Sequence, residues 1–292
     1  MFNKDGLVDI YSDEHGDDWP MAMIPSSETY LNSHPNPNKS KSRTYSGQWY
    51  PSDTEELYDR NIAGGIKIDY KKDDFYYDIN SVGFRCDDFD TMDFTKKSII
   101  YLGCSHTFGI GLPEEHCWPT IIHNKIQEEH NTTYNYINLG VPGGGFDWYL
   151  HFLPYFSKFN PTLIISANPE VTRMNLISES GALCQFSPVS DAGRPSGSRT
   201  ENSHDKRIGT TYKRMLLEEK HFEYRKEVIL ANVDAVAKIL HSKFITMDGR
   251  TVLNADGIID FEPGLARDNM HFGKVHHTVL AEILMKKIKE NK

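Results

Sequence analysis

Four short apolar runs, each closing on a small or polar residue, constrain this chain most: Ser98–Gly103 (SIIYLG), Tyr134–Gly140 (YNYINLG), Pro161–Asn168 (PTLIISAN) and Lys243–Asp248 (KFITMD). Runs of this length, rich in Ile, Leu and Tyr and bounded by turn residues, read as buried strands. Amphipathic patterns lie between and after them. Trp118, Ile121, Ile122 and Ile126 recur at helical spacing, as do Phe146, Tyr149, Leu150, Leu153 and Phe156. A long helix follows with Phe222, Ile229, Val233, Val236 and Leu240, and a last one with Val279, Leu280, Ile283, Leu284 and Ile288. Strands that alternate with helices imply a parallel sheet covered on both faces, a three-layer α/β/α sandwich. Such sheets bind ligands beyond the carboxyl ends of their strands, so chemistry is expected just after Leu102, Leu139, Ser166 and Met247.

The chain has 292 residues, enough for one large domain or two small ones. We expect residues 1–97 to be an N-terminal extension packed on the core, within which 26–61 reads as an exposed loop or ordered arm. Residues 98–292 would form the α/β domain, with a polar Gly/Ser/Pro-rich insert at about 175–210. Lys plus Arg number 32 against 41 Asp plus Glu, a net charge of −9 that argues against nucleic acid or anionic lipid as partner. No stretch reaches the ~20 apolar residues of a membrane span, and the acidic start lacks a secretory pattern. The expectation is a protein that stays in the cytoplasm or is released without a signal, virion association being compatible with that. Cys86, Cys104, Cys117 and Cys184 show no paired C-x-x-C spacing and read as free thiols. His106, His116, His123, His130, His276 and His277 lack a metal-ligand pattern such as H-E-x-x-H, so no metal or other cofactor is expected.

The strand ends carry the candidate chemistry. After the first, in GCSHTFG, Ser105 sits where a nucleophile would be presented, or where a helix cap would stand. After the second, Gly140 leaves its N–H open to a substrate oxygen, or serves a tight turn. Gly143, Gly144 and Gly145 could cradle a phosphate, but no P-loop or dinucleotide fingerprint accompanies them. After the third, Asn168 offers a side-chain amide to an oxyanion, or is a turn residue before Pro169. Near the C-terminus Asp268 and His271 stand three residues apart, a spacing that brings carboxylate to imidazole on a helical turn or tight loop.

Together these blocks, spanning about residues 98–290, resemble the SGNH hydrolase family, the GDSL-like esterases. The family's Gly-Asp-Ser looks like Gly103-Cys104-Ser105, its second-block Gly like Gly140, its Gly-x-Asn-Asp like Ser166-Ala167-Asn168-Pro169, and its Asp-x-x-His like Asp268-Asn269-Met270-His271. Cys104, Ser166 and Pro169 depart from the pattern. The resemblance implies a serine hydrolase with Ser105 as nucleophile, His271 as base, Asp268 as its orienting acid, and an oxyanion hole from Ser105, Gly140 and Asn168. Cys104 is a competing nucleophile or a packed thiol. Arg85, in a segment similar to one preceding the first block in some relatives, and Arg173 could meet substrate or form structural ion pairs, as could Arg267. Trp148 could stack on a sugar or be buried. The implied function is an esterase removing a short acyl group, acetyl most simply, from a carbohydrate or similar polyol. The alternatives are an O-acyltransferase of the same fold and a non-catalytic glycan-binding or structural protein of a bacterium or phage.

Overall fold

The computed structural model describes residues 41–177, 183–186, 219–248 and 264–291. In chain order these form β1 (Tyr45–Gly47), α1 (Glu55–Ala63), β2 (Tyr77–Ile79), β3 (Ser98–Gly103), α2 (Ser105–Phe108), α3 (Trp118–His130) and β4 (Asn135–Gly140). There follow α4 (Asp147–Phe152), α5 (Phe156–Phe159), β5 (Pro161–Asn168), β6 (Met174–Ile177), β7 (Leu183–Phe186), α6 (Glu219–Ile239), β8 (Lys243–Asp248) and α7 (Lys274–Glu290).

The four apolar runs are the four strands of one parallel sheet, ordered β4-β3-β5-β8. All six residues of β3 are buried, which is why an inner parallel strand reads as a continuous apolar run rather than an alternation. Ile99, Tyr101, Leu163, Ile165, Ala167, Ile245 and Met247 face α3 and α7, meeting Trp118, Ile122, Ile126, Leu280 and Leu284. On the opposite face Ile100, Leu102, Ile137, Leu139 and Ile164 meet Phe146, Tyr149, Phe152 and Phe156, with Ile229, Val233 and Ala237 of α6. The result is the expected three-layer α/β/α arrangement.

The helical pattern expected over 146–156 is split. Pro154 has no N–H for a helical bond, and the chain passes through a tighter turn at Leu153–Tyr155 between α4 and α5. The segment read as loop or arm holds regular structure where it is described. Thr54 caps α1 by accepting from the Leu57 N–H, with Glu55 and Glu56 in its first turn, and Trp49 and Tyr50 are buried. Tyr50, Phe75, Tyr77, Phe84 and Phe89 join the hydrophobic cluster on the α6 side of the sheet. Of the polar insert, β6 and β7 pair antiparallel; the rest, like residues 26–40, lies outside the described residues. Among the described residues no helix is long and apolar enough to cross a membrane.

Candidate active site

The carboxyl ends of β3, β4 and β5 bring Ser105, Gly140 and Asn168 to one edge of the sheet, because Gly103 pairs with Gly140 and Leu102 with Ser166. Cys104 is the N-cap of α2 and Ser105 its first residue. Ser105 is therefore not the cap, and its N–H lies among the first amides of a helix, which have no intrahelical acceptor. The Ser105 side chain is nearly buried and its hydroxyl contacts Cys104 Sγ at 4.0 Å. Among the described residues no hydrogen bond joins it to His271.

Asp268 and His271 do meet. Asp268, 1% exposed, accepts from the backbone N–H of Met270 at 3.1 Å and of His271 at 3.0 Å through Oδ1. Its Oδ2 lies 2.5 Å from His271 Nδ1. The tight loop that permits this turns at Asn269, in the left-handed region at φ 57, and is closed by the Ala266 N–H donating to His271 O at 2.9 Å. Asn tolerates this conformation better than most residues. A carboxylate on Nδ1 fixes the tautomer in which Nε2 is free to accept a proton. The loop is tied to the segment that follows Ser105 where the Arg267 N–H donates to Gly111 O at 3.0 Å. The rings of His106 and His271 lie 5.3 Å apart, which places the residue after Ser105 beside the histidine.

Asn168 Oδ1 accepts from Ser166 Oγ and from Thr246 Oγ1, both at 2.7 Å, and Ser166 Oγ is in turn 2.7 Å from the Tyr149 hydroxyl.

Gly140 requires a correction. Its N–H donates to Asn138 Oδ1 at 3.0 Å, so the amide is already occupied. The glycine is needed for packing: a Cβ there would come within 2.4 Å of Phe108 N and 2.8 Å of Thr107 C. Asn138 Nδ2 completes the clamp on α2 by donating to Thr107 O at 2.9 Å. The turn that follows presents a different amide, that of Gly143. In the turn Val141–Gly144 the Gly144 N–H donates to Val141 O at 2.8 Å, Pro142 and Gly143 hold the central positions, and Gly143 has φ 75. This is a type II turn, whose third residue leaves its N–H outside the turn, and among the described residues that N–H has no partner. The Pro-Gly pair was its visible signal.

Arg85 and Trp148 take the structural of their two alternatives. Arg85 is 1% exposed and donates to the carbonyls of Gly109 at 2.7 Å, Leu112 at 2.9 Å and Tyr76 at 3.3 Å, so it ties β2 to the loop after α2 rather than meeting substrate. Trp148 is 2% exposed and stacks on Phe152, a core residue and not a sugar platform. Arg267 is likewise structural: it pairs with Asp53 at 2.7 Å and lies between the rings of Trp49 and Phe75. Arg173 is partly buried, 3.7 Å from Glu170. Burial first, then His271, His277 and His276, and last the charge of Arg173, hold His106 in the neutral form.

Among the described residues no group of three or more His, Cys, Asp or Glu is arranged to hold a metal ion. A charged groove of about 660 Å³ between the C-terminal halves of α3 and α7 is lined by Lys125, Glu128, Glu282 and Lys289. Helices that connect parallel strands run antiparallel to them, so this groove lies at the opposite end of the sheet from Ser105 and is not the site.

No family model and no curated protein matches the chain. Solved structures similar to it include TesA, at 13% identity over 66% of this chain and 99% of that one, with a TM-score of 0.35. A mutant of Axe2, an acetyl-xylooligosaccharide esterase from Geobacillus Stearmophilus, is similar at 12% identity over 66% and 94% of the two chains, TM-score 0.36. AlinE4, described as an SGNH-hydrolase family esterase, is similar at 14% identity over 67% and 96%, TM-score 0.29.

Proposed function

We propose that the chain is a serine esterase that removes a short acyl group, acetyl most simply, from a carbohydrate or similar polyol. The observation that carries this reading is the closed Asp268–His271 pair on a loop tied to the segment that follows Ser105. On substrate binding Ser105 Oγ turns from Cys104 toward His271 Nε2; such bonds commonly tighten only in the reacting complex. Ser105 Oγ attacks the ester carbonyl carbon while its proton passes to His271 Nε2. The oxyanion is met by the N–H groups of Ser105 and Gly143 and by Asn168 Nδ2. The alcohol leaves with the proton from His271, and water, deprotonated by the same nitrogen, releases the acid and restores Ser105. Arg173, partly buried near His106, would meet polar substrate groups.

The test is turnover of p-nitrophenyl acetate and labelling by a fluorophosphonate in wild type, Ser105→Ala and Cys104→Ala. Loss of both in the Ser105 variant alone is expected. A folded wild type that neither labels nor turns over favours the binding-protein alternative, and turnover lost only with Cys104 would make the thiol the nucleophile. Turnover that rises only on adding a glycan acceptor would assign the acyl-enzyme to transfer.

A further inference from the structure

Where the resembling family has a glycine, this chain has Ser166, and its hydroxyl is not idle. Ser166 and Asn168 lie two apart on β5 and so on one face of the sheet, while Thr246 of β8 stands opposite Ser166 on that same face. Both hydroxyls reach Asn168 Oδ1 at 2.7 Å, a separation typical of O–H···O and shorter than the usual N–H···O. The amide is thus oriented with its oxygen toward the sheet. Ser166 has a single hydrogen, and giving it to Asn168 leaves the Ser166 oxygen to accept from Tyr149, whose hydroxyl lies 2.7 Å away. Burial keeps the Tyr149 phenol protonated well above its usual range, so it remains a donor. Both Tyr149 and Ser166 are fully buried. The chain of donation runs Tyr149 to Ser166 to Asn168, with Thr246 as a second donor to the same oxygen. Because an amide is planar, two donors on Oδ1 leave Nδ2 facing away from them, and among the described residues Nδ2 has no partner. Two hydrogen bonds to the carbonyl also polarise the amide and strengthen its N–H as a donor.

We propose that Ser166 and Thr246, with Tyr149 behind Ser166, are positioning residues that hold the Asn168 amide so that Nδ2 faces the oxyanion, an inference that rests on the esterase reading above. None of the three touches the reacting atoms. Their effect should appear in kcat, not KM, because the oxyanion exists only after attack.

The experiment compares Ser166→Ala, Thr246→Val, their double variant and Thr246→Ser, in the wild-type and Asn168→Ala backgrounds, on p-nitrophenyl acetate. Each single loss of a hydroxyl is expected to lower kcat about 10-fold at unchanged KM. The double variant should approach the ~10²- to 10³-fold loss of a missing oxyanion donor. Thr246→Ser, which keeps the hydroxyl, should retain activity. In the Asn168→Ala background the same substitutions should lower kcat no further, which a merely structural role would not produce. Full kcat in the double variant, or an equal loss in the Asn168→Ala background, overturns the proposal. A readout independent of turnover is the Asn168 side-chain amide signal in a nitrogen–proton correlation spectrum, assigned by its loss in Asn168→Ala. It should shift in the double variant, and an unchanged signal overturns the proposal. A wild type with no Ser105-dependent turnover overturns the esterase reading and the catalytic purpose of the network, whereas the amide signal still decides whether the hydroxyls hold Asn168.

Discussion

At the scale of the residue, Asp268 has two separable tasks. Its Oδ1 accepts two backbone N–H groups and so shapes the loop, while its Oδ2 accepts from His271 Nδ1. An asparagine can keep the first task, since its oxygen also accepts twice, but it presents an N–H to the imidazole. That forces the tautomer whose Nε2 carries the proton and cannot accept another. Asp268→Asn is therefore expected to fold with a melting temperature near wild type and to lose about 10⁴-fold in kcat. Steady-state kinetics beside a thermal melt check this, and a variant within 10-fold of wild-type kcat would remove Asp268 from the proposed mechanism. This pair was legible in the sequence because three-residue spacing in a tight turn leaves the side chains few other places to go. The fate of the Gly140 amide was not legible, because nothing in NLGVPGGG shows that the Asn138 side chain reaches two residues forward along its own strand to take that N–H. For Arg85 the sequence left substrate contact and a structural role both open, because its burial depends on carbonyls distant in the chain, such as that of Leu112.

Among the elements, the loop that carries Asp268 and His271 is anchored from the N-terminal side of the chain. Arg267 enters a pocket made by residues 48–77, donating to both oxygens of Asp53, to Gln48 O at 2.5 Å and to Lys72 O at 2.8 Å. The pair is almost wholly excluded from water, so its partners are not interchangeable with solvent. Removing one of two buried charges leaves the other uncompensated, which typically costs about 3–5 kcal/mol. Arg267→Met should therefore lower the unfolding free energy by that amount, and Asp53→Leu combined with Arg267→Met should recover part of it. Urea unfolding of the two variants measures the difference. A single variant as stable as wild type would mean that the loop is held by its backbone bonds alone. The strands and the long helices were readable because each satisfies its own period locally. The β1, α1 and β2 elements were not, because their aromatic residues have meaning only against Phe108 and the sheet that follows later in the chain.

For the whole molecule, the decisive electrostatic feature is a set of histidines kept neutral by burial. The His277 Nδ1 accepts the Trp118 N–H at 3.1 Å, a bond that protonation would destroy, and burial, aided by His276 and His271, holds its pKa well below the ordinary histidine value. Burial lowers His123 to about 4, and His106 is pushed well below its usual value mainly by the same cause. In the unfolded chain each of these would titrate near ~6.5. Between that pH and about 4 the unfolded state therefore binds protons that the folded state refuses, so stability is complete above the unfolded value and falls as the solution is acidified. The slope is at most about 1.4 kcal/mol per pH unit for each histidine, or ~4 kcal/mol for the three. Measured between pH 6.5 and 5, where carboxylates still contribute little, urea unfolding should show a steep loss of stability. His123→Gln, which keeps an acceptor near Tyr101 while removing the titration, should lower that slope by about a third. A stability that stayed flat across this window would show that the buried histidines take up protons in the folded state, and that the interior around Trp118 and Tyr101 is less dry than its packing requires.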